Sequence, residues 1–266
     1  MSDPYIPELD LQYPDKPDAH FIERVIENPF EVDENYPFLE KKIIFKLWSA
    51  LTYLGIFTLV FTLAPFKYGL KIEGRNNLRK HKKLLKNGAL TVSNHTFKWD
   101  FLSVLMAVRY RRLWFPAWKE NLGTKDRNLI RLVGGIPVPS SLRAMGKFNE
   151  AFDVLHQKKK WIHVFPESSN WPYYVPIRPF KKGAFTFAQR YNIPVIPMAF
   201  SYRKPKGLLK LILKEKPAIT LRVGEPLLID PSLSRKESIL AMRKLCHEKV
   251  VELAGISNNI WPCEGD

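Results

Sequence analysis

Residues 94–100 read Asn94-His95-Thr96-Phe97-Lys98-Trp99-Asp100 and follow directly on the apolar, β-like run 89–92. An imidazole whose pKa lies near neutrality can take a proton from an alcohol, and a carboxylate bonded to its far nitrogen fixes the tautomer and stabilises the imidazolium that forms. Groups five positions apart do not share a helix face, where neighbours lie three or four apart. The spacing therefore predicts His95 in a turn and Asp100 on the opening turn of the next helix. The chemistry such a pair serves is activation of a hydroxyl as a nucleophile.

Four further segments carry unusual residue combinations: Gly134-Gly135-Ile136-Pro137-Val138, Phe165-Pro166-Glu167, Pro179-Phe180-Lys181-Lys182-Gly183-Ala184-Phe185 and Ile193-Pro194-Val195-Ile196-Pro197. With Asn94-His95 and Asp100 ahead of them, and in this order, they resemble the motif series of the glycerolipid acyltransferases, the family that includes the lysophosphatidate (1-acylglycerol-3-phosphate) acyltransferases. The resemblance spans about residues 88–203. It implies transfer of a fatty acyl group from a thioester, carried on coenzyme A (acyl-CoA) or acyl carrier protein, to a lipid hydroxyl, with His95 as general base and Asp100 as its orienting acid. It further implies acceptor binding or site organisation by Glu167. An oxyanion site is expected at backbone amides around Gly134 and Gly135, because the tetrahedral intermediate needs hydrogen-bond donors.

Two positions depart from the family pattern. Its second motif usually ends acid-Arg and its third continues Gly-Thr-Arg, with those arginines assigned to the acceptor's phosphate. Here Val138 is followed by Pro139-Ser140, and Glu167 by Ser168-Ser169-Asn170. Arg143, Arg178, Lys181 and Lys182 are the candidates to supply the missing charge, with Gly183 permitting close backbone approach. The expected acceptor is 1-acylglycerol-3-phosphate, giving phosphatidate; another lysolipid, a glycolipid or a lipoamino acid is the alternative.

These residues must be held by a scaffold, and the chain supplies the pattern of one. Short β-like runs at 89–92, 114–117, 136–138, 161–165, 195–200 and 218–223 alternate with helical ones. That alternation predicts an α/β fold with a mixed, largely parallel sheet flanked by helices. Leu142, Met145, Phe148, Phe152 and Leu155 recur at helical spacing behind Ser140 or Ser141 as cap. Ser234 with Glu237 forms a capping-box pattern ahead of a C-terminal helix. In open α/β sheets ligands gather beyond the carboxyl ends of strands, so His95 and Glu167, each just after a strand, are expected to face one cleft.

With 45% hydrophobic and 13% aromatic content, 266 residues can bury one large core, and one catalytic domain is expected. The predicted division is an acidic, proline-rich arm over 1–40, a hydrophobic anchoring segment over 41–70 and the α/β acyltransferase domain over 71–266. The arm holds 11 acids against Lys16 and Arg24, a net −9, which leaves +25 of the overall +16 for the remainder. Its six prolines predict an extended or partly ordered arm, read as a solvated acidic tail. A basic body suits nucleic acid, anionic lipid or acidic carrier protein alike, because a long-range field reads sign and not identity.

Residues 47–66 contain no charged side chain, a run close to the roughly 20 residues that cross a bilayer. Lysines flank both ends, so charge asymmetry selects no orientation. A helix, or a hairpin broken near Gly55, lying in one leaflet and closed by Pro65 is favoured over a span, with the active site on the cytoplasmic face. That segment and the lack of any recognised binding module argue against nucleic acid. A serine hydrolase is disfavoured by the absence of a Gly-x-Ser-x-Gly elbow. A non-catalytic lipid-binding protein would leave the ordered motifs unexplained. Cys246 and Cys263 form no disulfide framework. His20, His81, His156, His163 and His247 lack ligand spacing, His163 reading as a packed residue, so neither metal nor cofactor is expected.

Overall fold

The computed structural model describes residues 4–21, 31–97 and 99–263. Lys98 and residues 22–30, including Arg24 and Pro29 of the arm, lie outside the described residues. Seven strands form one sheet: β1 (Lys71–Glu73), β2 (Leu90–Ser93), β3 (Leu113–Ala117), β4 (Gly135–Pro137), β5 (Trp161–Val164), β6 (Val195–Arg203) and β7 (Ala218–Val223). Their order across the sheet is β1-β7-β6-β2-β5-β3-β4. All neighbours are parallel except β6 and β7, so β1 and β7 run against the other five. Six strands fall where the alternation of apolar runs predicts them. β1 was not anticipated, because three residues with two charges carry no readable period; it exists by pairing with β7.

Every side chain of the central strand β2 is buried, as both-face coverage of a parallel sheet requires. One face is covered by α6 (Leu142–Gln157), α7 (Gly183–Tyr191) and α9 (Arg235–Ala254), whose Phe148, Phe152, Phe185 and Met242 pack with Leu90, Val92 and Ile162. The other receives α4 (Asp100–Val108) and the apolar N-terminal helix, with Val104, Leu105, Tyr53 and Ile56 against Ile196, Met198 and Leu221. The caps follow the sequence. Ser141 accepts the Ala144 N–H at 3.2 Å, and Ser234 and Glu237 complete a reciprocal capping box on α9.

The apolar segment is one continuous helix and not a hairpin. α1 (Ile43–Gly55) passes through a π-helical turn, Ile56–Val60, into α2 (Phe61–Lys67). Gly55 keeps helical angles, φ −60° and ψ −41°, so the chain accommodates the irregularity as a π-turn and does not reverse. Pro65 does not close the helix either: it sits inside α2, which runs on to Lys67 and ends as the Tyr68 N–H meets the Ala64 carbonyl at 3.0 Å. The resulting 25-residue helix is long and apolar enough to cross a membrane. One side is tied to the domain: Ser49 donates to Leu132 O at 2.5 Å and Tyr53 to Val133 O at 2.7 Å. The rest of the circumference exposes Ile43, Leu47, Trp48, Leu51, Leu54, Leu59, Leu63 and Phe66.

The short helices α3 (Asn76–Lys80), α5 (Arg127–Leu132) and α8 (Leu208–Leu213) connect these layers. The described parts of the acidic arm are packed at a few points and otherwise half-buried or exposed, which corrects the expectation of a wholly solvated tail. Val32 and Phe38 enter the core beside Phe148, and Tyr13 stacks on Trp171 with ring centroids 5.8 Å apart. Its aromatic residues supply burial that its acidic composition concealed.

Candidate active site

β2 is held to β6 by main-chain pairing up to Ser93 opposite Met198. There the Asn94 side chain takes over. Its Oδ1 accepts the Phe200 N–H at 2.8 Å and its Nδ2 donates to the Phe200 carbonyl at 3.1 Å. Asn94 thus satisfies the next β6 backbone pair and frees its own main chain to turn out of the sheet with His95 and Thr96. Both residues of that turn are then gripped. The His95 N–H donates to Glu167 Oε2 at 2.9 Å, the Trp171 N–H to the His95 carbonyl at 3.1 Å, and the Tyr173 N–H to the Thr96 carbonyl at 2.8 Å.

Asp100 opens α4, as the spacing predicts, and its Oδ2 lies 2.5 Å from His95 Nδ1. The same oxygen accepts the Thr96 N–H at 3.1 Å. The carboxylate is buried, and the first-turn amides of α4 favour negative charge at this position. With Nδ1 carrying the proton given to Asp100, Nε2 is the basic nitrogen, and it has no protein partner among the described residues. The His95 side chain keeps 24% of its surface open. Its ring stacks on Phe165, centroids 4.1 Å apart and planes 15° from parallel, and Asn170 Nδ2 stands 3.1 Å from Nδ1. A base with a fixed tautomer, an oriented ring and an open second nitrogen is equipped to take a proton from a bound hydroxyl.

Glu167 and Arg178 form the buried centre of the loop after β5, with side chains 2% and 1% exposed. Glu167 Oε2 accepts Arg178 Nη2 at 3.0 Å and Oε1 the Arg178 N–H at 2.9 Å. Arg178 also donates to Ser169 Oγ at 2.6 Å, to the Ser169 carbonyl and to the Pro17 carbonyl of the arm at 3.0 Å, and it lies 4.4 Å over the Trp171 ring. Arg178 as a phosphate ligand is therefore corrected: its guanidinium is enclosed and committed to Glu167. Of the two roles expected for Glu167, this geometry is that of an organiser, since each oxygen already accepts hydrogen bonds from the loop or from His95.

Gly134 is likewise corrected as an oxyanion donor. Its N–H already donates to the Arg131 carbonyl at 3.1 Å. Gly135 pairs with Phe115, Leu113 with Trp161 and Leu90 with Ile162, a register that sets Gly135 level with Thr91. His95 lies beyond the end of β2, three strands across from β4, a lateral separation of about 14 Å. The two glycines serve close approach instead: a Cβ on Gly134, at φ +100°, would lie 2.4 Å from the Leu113 carbonyl oxygen, and one on Gly135 2.5 Å from Ile130 Cγ2.

Lys181 and Lys182 directly precede α7, Lys182 as its N-cap. The Lys181 N–H is bonded to the Pro166 carbonyl at 2.8 Å, its side chain is half exposed, and its Nζ lies 4.0 Å from Asp18 of the arm. Arg143, 83% exposed on the first turn of α6, lies 3.8 Å from Glu34. His163, beneath the site on β5, is buried, with Nδ1 2.9 Å from Thr91 Oγ1. Burial, reinforced by the nearby His95, pushes its pKa down to about 3. Sequence reasoning missed Asn170 as a neighbour of the base, the Asn94 clamp and the Glu167–Arg178 pairing. Asn94 belongs to the first motif and Asn170 lies three residues past Glu167; nothing in the spacing of Glu167 and Arg178 announces their pairing.

An orienting acid and an open imidazole nitrogen at the carboxyl end of a central parallel strand are equipment for activating a hydroxyl against an acyl group. The chain belongs to the Acyltransferase family, whose profile matches residues 69–201. Its fold is similar to that of the crystal structure of the 1-acyl-sn-glycerophosphate (LPA) acyltransferase, PlsC, from Thermotoga maritima. The two share 21% identity over 82% of this chain and 83% of that one, with a TM-score of 0.51.

Proposed function

We propose that this acyltransferase moves a fatty acyl group from an acyl thioester, on coenzyme A or acyl carrier protein, to the free hydroxyl of a lysophospholipid at the cytoplasmic face of a membrane, with 1-acylglycerol-3-phosphate as the first candidate acceptor. The observation that carries this reading is the 2.5 Å contact between His95 Nδ1 and Asp100, which leaves Nε2 open. His95 Nε2 takes the hydroxyl proton as the acceptor oxygen attacks the thioester carbonyl. The tetrahedral intermediate collapses with cleavage of the carbon–sulfur bond, and the imidazolium returns its proton to the departing thiolate. Asp100 holds the ring and offsets its transient positive charge. Glu167, with Arg178, fixes the His95 backbone. The acceptor named for the Thermotoga maritima relative supports the choice of lysophosphatidate. With Arg178 enclosed, Lys181, Lys182 and Arg143 are the cations for the acceptor's phosphate. The exposed apolar flank of α1 and α2 supports membrane association, and its polar ties to the domain favour a helix lying in the interface over one that spans.

The test is thiol release by purified protein in detergent or liposomes, supplied with a long-chain acyl thioester and either lysophosphatidate or an uncharged lysolipid. Lysophosphatidate-dependent release that is lost in His95→Ala is expected. Release confined to other acceptors would redirect the substrate, and none with any acceptor would sink the reading.

A further inference from the structure

The segment joining β6 to β7 has a composition that neither its position nor the acyl-transfer chemistry requires. Residues 203–217 hold Arg203, Lys204, Lys206, Lys210, Lys214 and Lys216 against one acid, Glu215. None of the five lysines forms an ion pair among the described residues. α8, within this segment, has two apolar sides. Leu209 and Leu213 face the domain, with Leu213 against Gly69. Leu208, Leu211 and Ile212, at i, i+3 and i+4, form the opposite face and are 69%, 74% and 44% exposed. A six-residue helix anchored on one side gains nothing in water from three large aliphatic side chains on the other.

Two features say what covers that face. First, α8 packs against α2, whose own Leu63 and Phe66 are exposed apolar side chains. Second, a cleft of about 410 Å³ opens beside it, lined by Arg203, Lys204, Pro205, Lys206, Leu209 and Ala218. The Arg203 guanidinium is fixed in that lining: Nε donates to Thr220 Oγ1 at 2.7 Å and Nη2 to the Gly69 carbonyl at 2.5 Å. Lys204 and Lys206 are exposed around it. Cations set beside outward leucines match a layer that is anionic at its surface and apolar just below.

We propose that α8 and its lysines form a second membrane contact, selective for anionic phospholipid. Leu208, Leu211 and Ile212 enter the apolar boundary, and a headgroup phosphate sits in the Arg203–Lys204–Lys206 cleft. The proposal rests on the membrane-associated reading above and adds to it a site, a lipid charge and a second point of attachment, so that the domain is held at two places and cannot swivel about α1–α2. Nucleic acid or an acidic protein would satisfy the lysines and leave the leucines in water.

The experiment uses the full chain with Cys263→Ser, Cys246 being buried, and an environment-sensitive fluorophore on Leu211→Cys or, separately, on Leu51→Cys in α1. Vesicles are phosphatidylcholine alone or phosphatidylcholine mixed with phosphatidylglycerol. A blue shift at both positions is expected, with the Leu211 signal needing on the order of 25-fold less lipid at low salt when phosphatidylglycerol is present. Lys204→Gln/Lys206→Gln should remove that difference, by roughly fivefold in lipid concentration per lysine at low salt, with an unchanged melting temperature as the folding control. A shift at Leu51 with none at Leu211 would overturn the α8 contact while leaving membrane association intact. A shift at neither position would remove both. Equal response to the two vesicle types would overturn the anionic selectivity, as would coenzyme A bound in the cleft with vesicles leaving Leu211 unmoved.

Discussion

Glu167 holds His95 by its backbone: across 72 positions of sequence, Glu167 Oε2 accepts the His95 N–H at 2.9 Å while the same oxygen accepts Arg178 Nη2. The motif that carries the base and the motif that carries the glutamate are thereby one structural unit. The glutamate positions the base from behind, and the ring is left to Asp100.

His95→Ala should reduce turnover by on the order of 100 to 10,000-fold, the usual range for loss of a general base, with the melting temperature little changed because the ring is partly exposed. Asp100→Asn should lower kcat with KM nearly unaltered. Steady-state thiol release with circular dichroism melts checks both. A variant at either position that keeps wild-type kcat would refute the proton-transfer role.

Glu167→Gln should act on stability first. It leaves the enclosed Arg178 charge uncompensated, and removing one partner of a buried pair costs roughly 3–5 kcal/mol. For a chain of this size that lowers the melting temperature by about 10 °C. Adding Arg178→Met should recover part of the loss. A Glu167→Gln protein as stable as wild type would refute the organising role.

Gly134→Ala tests the close-approach role of this glycine. The left-handed backbone alone costs about 1–3 kcal/mol with a side chain, and the new methyl would meet the Leu113 carbonyl at 2.4 Å. Reduced stability with undiminished activity per folded molecule is expected. Unchanged stability would refute the close-approach role.

Acid should destabilise the fold through His163. Its folded pKa, depressed to about 3, lies below the unfolded value near 6.5. Between those values the unfolded chain binds the extra proton, so this contribution is complete above about pH 6.5 and lost as pH falls toward 3, at up to about 1.4 kcal/mol per pH unit. Denaturant melts across that window should show a shallower slope in His163→Gln. An identical slope would mean that other groups carry the dependence.

The arm should hold the site loop. Deleting residues 1–21 removes the Ala19 carbonyl that accepts Ser169 Oγ and Trp171 Nε1, and the Pro17 carbonyl on Arg178. Faster amide hydrogen exchange at residues 169–173 is expected, with exchange in β2 unchanged. Unaltered exchange at 169–173 would show that the loop holds itself.

Local regularity was legible in the chain. Six strands, the α6 and α9 caps, the apolar helix and the His95–Asp100 pair were legible because period, cap chemistry and a five-residue spacing act over one or two turns of chain. Tertiary structure decided what depends on partners far away. β1 exists only beside β7, and the acidic arm is packed because Trp171 and Phe148 offer it aromatic surface. Gly55 and Pro65 stay helical in a segment that passes through a π-turn and is tied to the domain through Ser49 and Tyr53. Whether a cation faces substrate or the interior is of the same kind. Arg178 and Lys181 stand three residues apart, and only the fold, by placing Glu167 where a guanidinium can pair with it, buries one and leaves the other open.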